Sequence, residues 1–478
     1  MSAASKFKNF GVFEYAIIAC GGVYALLSTN PILTIVAVLF PLILIKLLWK
    51  TAEAPFLYFA LVTQTLAVIA KVFYSDIMHV DFVEVHDYPV HITSAFYLSV
   101  IGLIALSFGI YLVIKGFNLR NADYKLLSRQ YNNRKLRNIY LASVFIYPIL
   151  LKLSFSLGGL QQPLYAIIQF KWAIFLIFMI NCFATGNSKT FITIFAFEII
   201  LSFTGYFSAF KDYFLIFFIG MLIVTRNNIK LGYIISILIL MVVGSYMLIM
   251  WEHIKPEYRN FLSGGEAAQI NTHSTSESLN KLLELVKETD AKGFADGVER
   301  TVNRVSYIDF LSAAESQVPA NVAHTNGELW FGAFARVLQP RLFFPNKKAI
   351  DDSEKARLYT GHNYAGADRG TSVSLGYVAE SYVDFGQVGM EIALLAFGLL
   401  IGWIYKYVMV TSPNILVGSA LVIPLYFEIF AYEKALDKIV GGLFIYLVII
   451  FVVKKFLLKP FLKYITLPHE NYTSNRIL

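Results

Sequence analysis

Trp251-Glu252-His253-Ile254-Lys255-Pro256-Glu257-Tyr258-Arg259 is where a long, almost unbroken apolar sequence stops. The chain turns apolar again only after Glu380-Ser381-Tyr382-Val383-Asp384-Phe385. Between these borders, residues 252–385 hold 14 of the 40 Lys and Arg, 18 of the 32 Asp and Glu, and four of the eight His. A channel or a simple carrier has little need of such an insertion, so this is where chemistry has room to occur.

Outward from it in both directions the sequence asks for a bilayer. Of the 478 residues 57% are hydrophobic and 15% charged, with a mean hydropathy of +0.60. A soluble domain could not hide that much apolar surface. A helix crosses the hydrocarbon core with about 17 to 25 apolar residues. Candidate spans are 12–28, 31–49, 55–75, 94–115, 138–157, 164–185, 189–207, 210–225, 231–251, 386–408, 414–431 and 439–457. The expected fold is therefore all-α and polytopic, with about twelve transmembrane helices. Residues 1–251 carry helices 1–9, residues 252–385 form a large, partly helical loop, and residues 386–478 carry helices 10–12 and a tail. The apolar runs do not alternate, which excludes a barrel of short strands.

Lys and Arg mark alternate connections: Lys6 and Lys8, Lys46 and Lys50, Lys115 to Arg137, Lys189, Arg226 and Lys230, Lys406, and Lys454 to Lys463. The positive-inside rule then places both termini in the cytoplasm and residues 252–385 outside. The net charge of +8 belongs to these basic connections, because the large loop is mildly acidic, and no nucleic-acid partner is needed to explain it. Cys20 and Cys182 fall inside spans, so no disulfide framework is expected. The first apolar run lacks a small-residue cleavage site and leads directly into another span, unlike a signal peptide.

Within the loop, Ser274 to Ala291 reads as an amphipathic helix with Leu279, Leu282, Leu283 and Val286 on one side. After a break at Gly293, Gly297 to Ser316 reads as a second helix carrying Arg300, Arg304 and Tyr307 on one face. Two guanidiniums a turn apart suit a diphosphate; the competing reading pairs Arg300 with Asp296 or Glu299 on a solvated face. Arg336 and Arg341 lie among Phe331, Phe334, Phe343 and Phe344, as residues at a lipid head-group surface would, or as a plain interfacial belt with snorkelling arginines. Pro256 is expected to break the helix leaving the ninth span. Lys171 and Lys211, at outer ends of spans, either snorkel or serve a site. His79, His86 and His91 have no tight ligand spacing and read as an exposed loop, and no metal or cofactor site is expected. No nucleotide-binding or nucleophile-elbow motif is present.

Four pieces in this order resemble the Wzy-like family of O-antigen and exopolysaccharide repeat-unit polymerases. They are Ser208-Ala209-Phe210-Lys211 opening a span, Lys255-Pro256-Glu257-Tyr258-Arg259 at an exit, and the Arg336–Lys347 run with Pro340-Arg341 and Pro345. The fourth is Glu380-Ser381-Tyr382-Val383-Asp384-Phe385-Gly386 leading into a span. The resemblance implies a GT-C-like membrane glycosyltransferase without a cofactor, in the bacterial inner membrane. Its substrate would be an undecaprenyl-diphosphate-linked oligosaccharide, its further partner a polysaccharide chain-length regulator. Lys211, Lys255, Tyr258, Arg259, Arg300, Arg304, Arg336, Arg341, Lys347 and Tyr382 would bind substrate, since the leaving diphosphate must be stabilised. The family pattern often has Arg where Lys211 stands, and Lys lacks the bidentate fork. Glu380, His362 and His324, in that order, are the candidates for the base that takes the acceptor hydroxyl proton.

Three other readings compete. An O-antigen ligase would use the same donor and transfer glycan to lipid A core. A secondary transporter would show two similar halves and a cytoplasmic central loop. A polyprenyl-monophosphate mannosyltransferase would carry an acidic pair in its first outer loop, which residues 29–30 do not offer.

Overall fold

The computed structural model describes residues 12–49, 54–117, 123–157, 161–203, 210–225, 231–265, 271–339, 344, 347, 350–366 and 372–468. The first part of the chain forms α1 (Val12–Leu27), α2 (Pro31–Leu48), α3 (Phe56–Met78), α4 (Ile92–Ile114), α5 (Tyr124–Arg129) and α6 (Asn133–Ser156). It continues with α7 (Gln161–Ile168), α8 (Phe170–Ala184), α9 (Ser188–Ser202), α10 (Phe210–Thr225) and α11 (Leu231–Leu262). The polar segment folds into α12 (Thr275–Glu288), α13 (Ala291–Val305), α14 (Asp309–Gln317), α15 (Glu328–Val337) and α16 (Asp352–Thr360). The chain then returns through α17 (Tyr377–Val410), α18 (Ile415–Ile429), α19 (Leu436–Val452) and α20 (Leu458–Ile465). Among the described residues only one isolated bridge, Tyr131 to Thr466, has strand character.

Among the described residues seven helical stretches are long and apolar enough to cross a membrane: Pro31–Leu48, Phe56–Met78, Ile92–Ile114, Asn133–Ser154, Gln161–Ala184, Tyr377–Val410 and Leu436–Ile465. Tyr15–Leu27 and Ile415–Ile429 are shorter apolar helices. With this many bilayer-length apolar helices, the chain is a multi-pass membrane protein.

The polar helices gather over one end of this bundle. Tyr307 N–H donates to Ala67 O of α3 at 3.0 Å, Ser312 Oγ donates to Tyr88 O at 2.6 Å, and Tyr377 N–H donates to Lys434 O at 2.8 Å. The basic connections meet at the other end, where Asn132 N–H donates to Ile465 O at 2.7 Å and Lys454 Nζ donates to Val408 O at 2.8 Å.

Glycines set the closest helix contact. A Cβ on Gly109 would lie 2.2 Å from Leu395 O, and one on Gly398 would lie 2.0 Å from Leu106 O. Helices α4 and α17 therefore touch backbone to backbone, as small residues permit in a bilayer. Gly398→Val should force them apart at a cost of about 1–3 kcal/mol or more. The check is a lowered melting temperature of the detergent-solubilised protein, set against an unchanged one for a substitution at the open position Gly332.

Three local expectations are corrected. Pro256 lies inside α11 and does not end it. Trp251, Ile254, Tyr258 and Leu262 bury one face continuously through the proline, and that packing outweighs one missing hydrogen bond. Gly293 is not a break either. The chain turns at Thr289-Asp290, and Asp290 caps α13 by accepting from Gly293 N–H at 2.7 Å. The second helix ends at Val305, and Tyr307 stands outside it, so Arg300, Arg304 and Tyr307 do not share one helical face.

The turn 82–87 is also more than an exposed loop. His86 is buried, with Nδ1 3.0 Å from both oxygens of Asp309, and Lys71 Nζ lies 3.3 Å from Asp309 Oδ2. Asp87 N–H donates to the same carboxylate at 3.1 Å. Burial holds the His86 imidazole below its ordinary value of 6.5, and its Nε2 has no hydrogen-bond partner among the described residues. Burial works against the Asp309 carboxylate, but the His86 hydrogen bond and the Lys71 ammonium hold it below 3.8. Both groups bind protons more readily when released from the fold, so acid favours release. The docking of the start of α14 on the 82–87 turn should weaken as pH falls below about 6.5, first through His86 and below about 3.8 through Asp309. Melting temperatures measured from pH 8 to 5 should fall, and His86→Phe should flatten that part of the profile.

Candidate functional site

Under the polar helices lies a cavity of about 640 Å³. Its walls come from segments distant in sequence. Helix α13 supplies Arg304 from its last turn, the short connection between α18 and α19 supplies Glu433 and Lys434, the first turn of α19 supplies Lys438, and the first turn of α10 supplies Asp212.

Each side chain is placed by local necessity. Cβ atoms on Gly293 and Gly297 would lie 2.8 Å from His253 Nε2 and 2.6 Å from Ile249 O, so only glycines let α13 press onto α11. That contact carries Arg304 to the cavity rim, where Nη2 meets Glu433 Oε1 at 3.8 Å. Lys434 Nζ donates to Phe427 O at 3.1 Å, Glu428 O at 3.2 Å and Glu428 Oε2 at 2.8 Å, closing the C-terminal end of α18 with a cation. Lys438 pairs with the buried Asp352, which also accepts from Ser372 Oγ at 3.1 Å. Arg304, Lys434 and Lys438 are thus paired with Glu433, Glu428 and Asp352, and the N-terminus of α19 adds partial positive charge. Asp212 makes no hydrogen bond or ion pair among the described residues. Such a site can take a phosphate-bearing group whose oxygens replace these carboxylates on their cations, with Asp212 beside it.

Glu380 lies behind this cavity and does not line it. It is fully buried, with Lys355 Nζ 2.7 Å from Oε1 and Leu436 N–H donating to Oε2 at 2.7 Å. Lys355 also reaches Asp437 at 3.0 Å. Burial works against the Lys355 ammonium, yet the carboxylates of Glu380 and Asp437 hold its pKa above the ordinary lysine value. One turn later on α17, buried Asp384 accepts from Leu329 N–H at 3.0 Å and Trp330 N–H at 2.8 Å. The two carboxylates therefore seat the starts of α19 and α15 on α17. The same motif adds Ser381, which accepts from Trp330 Nε1 at 3.0 Å, and Tyr382, which donates to Val318 O at 2.8 Å. Gly386, at φ +67°, then bends the chain into the apolar part of α17.

The other sequence candidates divide into groups. Lys211 and Lys255 converge on buried Glu252 at 3.0 and 2.6 Å, and Arg259 stands one turn beyond Lys255 on α11. Lys211 from one motif piece and Lys255 and Arg259 from another thus gather around Glu252, while Ser208 and Ala209 lie outside the described residues. Tyr258 supports it from below, buried and donating to Phe203 O at 2.9 Å. Arg300 pairs with Asp296 at 2.7 Å on an exposed face, the bland alternative. Arg336 is half-buried on α15, where its carbonyl and that of Gln339 accept from Lys347, a cation closing a helix end. Arg341 lies outside the described residues. His362 lies tilted against Tyr88, with ring centroids 4.3 Å apart. The Nδ1 of His324 lies 3.1 Å from Val383 O beside the Gly386 bend. Lys171 does not snorkel. It is buried 3.0 Å from Glu198 and donates to Tyr213 Oη at 2.5 Å, enclosed by Tyr140, Tyr147 and Trp172.

Asp212, Lys434 and Lys438 escaped the sequence reading. The signal was present as an ionisable residue beside Lys211 and as four charges, Glu433, Lys434, Asp437 and Lys438, crowded between two apolar spans.

Fold and site together define a multi-pass membrane protein with a charged cavity roofed by a helical polar insertion. The chain belongs to the DUF8712 family, a domain of unknown function, which it matches over residues 14–463. No curated protein and no solved structure matches the chain.

Proposed function

We propose that the protein is a membrane-embedded glycosyltransferase that polymerises undecaprenyl-diphosphate-linked oligosaccharide repeat units on the periplasmic face of a bacterial inner membrane. In this reading α1, α9, α10, α11 and α18 also cross the bilayer and, with the seven longer stretches, make the twelve spans. The clustering of basic connections at the end opposite the polar helices supports both termini being cytoplasmic.

The observation that carries the reading is the presence of Asp212 in the same cavity as Arg304, Lys434 and Lys438. The three cations hold the diphosphate of the donor and stabilise it as it leaves. The acceptor hydroxyl oxygen bonds to the anomeric carbon of the donor glycan. The bond from that carbon to the diphosphate oxygen breaks, and the lipid diphosphate keeps the electron pair. Asp212 takes the hydroxyl proton. Glu380 acts as a positioning residue, because it holds the start of α19 that carries Lys438.

Deleting the gene and analysing surface glycans by gel electrophoresis tests the reading. Single repeat units in place of long chains are expected. Core wholly without glycan would point to the ligase, and unchanged chain lengths would remove the polymerase.

A further inference from the structure

Two uncharged polar groups in the wall of the charged cavity lack a partner. Gln169, at the junction of α7 and α8, and Ser306, which caps the end of α13, both line it, and each is only 5% exposed. Gln169 Oε1 and Ser306 Oγ make no hydrogen bond among the described residues. Buried polar atoms without partners are costly, so a ligand that bonds to both is favoured. Such a ligand must bring hydroxyls. An amide oxygen only accepts, and an ionised phosphate oxygen also only accepts, so a phosphate cannot satisfy Gln169 Oε1. A hydroxyl both donates and accepts, and it suits either group. The cations of the cavity, by contrast, already have carboxylate partners.

Aromatic rings complete the same walls. Tyr307 and Phe310, one and four residues after Ser306, stack on each other with centroids 4.5 Å apart. Tyr307 is held in place by its Oη, which donates to Ser374 O at 2.6 Å. Phe427 and Phe430, from the end of α18, line the cavity as well, edge to face with centroids 6.0 Å apart. An aromatic face carries negative potential, which attracts the weakly positive C–H groups of a saturated ring. A sugar has both features required, hydroxyls around its rim and C–H groups on its faces.

We infer that Gln169, Ser306, Tyr307 and Phe310 form a sugar subsite within this cavity. This rests on the glycosyltransferase reading above and adds the residues that recognise the glycan. The amide and the hydroxyl bond to the sugar's rim, the rings pack on its C–H face, and the cations are left to the diphosphate.

The test uses the full chain in phospholipid nanodiscs and titration calorimetry. Its probes are the oligosaccharide freed by mild acid from the cell's own lipid-linked repeat units, the intact lipid-linked unit, and inorganic diphosphate. The wild type should bind the free oligosaccharide. Gln169→Leu and Ser306→Ala should each weaken that binding about two- to ten-fold, the worth of one hydrogen bond. Phe310→Ala should weaken it about ten-fold or more. All three should bind inorganic diphosphate as the wild type does. Free oligosaccharide bound as tightly by all three variants, each melting normally, would overturn the subsite. So would a wild type that binds the lipid-linked unit but not the free oligosaccharide, and both results leave the polymerase reading standing. A wild type that binds neither glycan would overturn that reading, and the subsite with it.

Discussion

Replacing Glu380 with Leu should cost about 3–5 kcal/mol of stability, the range found when one partner of a buried ion pair is removed. The carboxylate has no exposed surface and bridges two elements, taking Lys355 from α16 and the Leu436 N–H at the start of α19. Leucine leaves that N–H buried without an acceptor and leaves Lys355 with Asp437 as its remaining carboxylate. Glu380→Gln keeps an oxygen for Leu436 but loses the charge, so its cost should be smaller. The measurement is thermal unfolding of the purified protein, with the order wild type above Gln above Leu. A general base would behave otherwise: Glu380→Gln would melt like the wild type while turnover disappeared.

Asp212→Asn should show that second behaviour. The carboxylate makes no hydrogen bond or ion pair among the described residues, so an isosteric amide disturbs little packing. Losing the proton acceptor should lower turnover by about 10²–10⁴-fold, the usual worth of a positioned general base. The melting temperature and the affinity for undecaprenyl diphosphate should stay the same. Full turnover in Asp212→Asn would move the proton acceptor elsewhere, with Glu433 the other carboxylate on the cavity wall.

Patterns set by neighbours in sequence were legible. The helix read over 274–291 forms as α12, with a capping box between Ser274 and Glu277. The i,i+4 contact of Arg300 with Asp296 needs only helical geometry, and it was one of the two readings weighed. Lys255 joins Lys211 at Glu252, and Arg259 follows one turn on because the helix survives Pro256, which could not be read locally: a proline's effect depends on how much apolar surface the helix buries on either side of it. Glu380 shows the same limit more sharply. A carboxylate at a span entrance looks like a base from the sequence, but its partners, Lys355 and Leu436, come from segments before and after it in the chain. Lys434 and Lys438 were overlooked for the converse reason. Their connection is short, and only the packing of 432–438 beneath the polar helices gives it a cavity to face.

The most direct measurement supplies the purified protein, in vesicles, with a defined undecaprenyl-diphosphate-linked repeat unit and separates the products by size. A ladder of lengthening glycan is expected from the wild type, with none above background from Asp212→Asn. Repeat units left at their starting length by a wild-type protein that binds them would contradict the central claim that the charged cavity joins lipid-linked glycans.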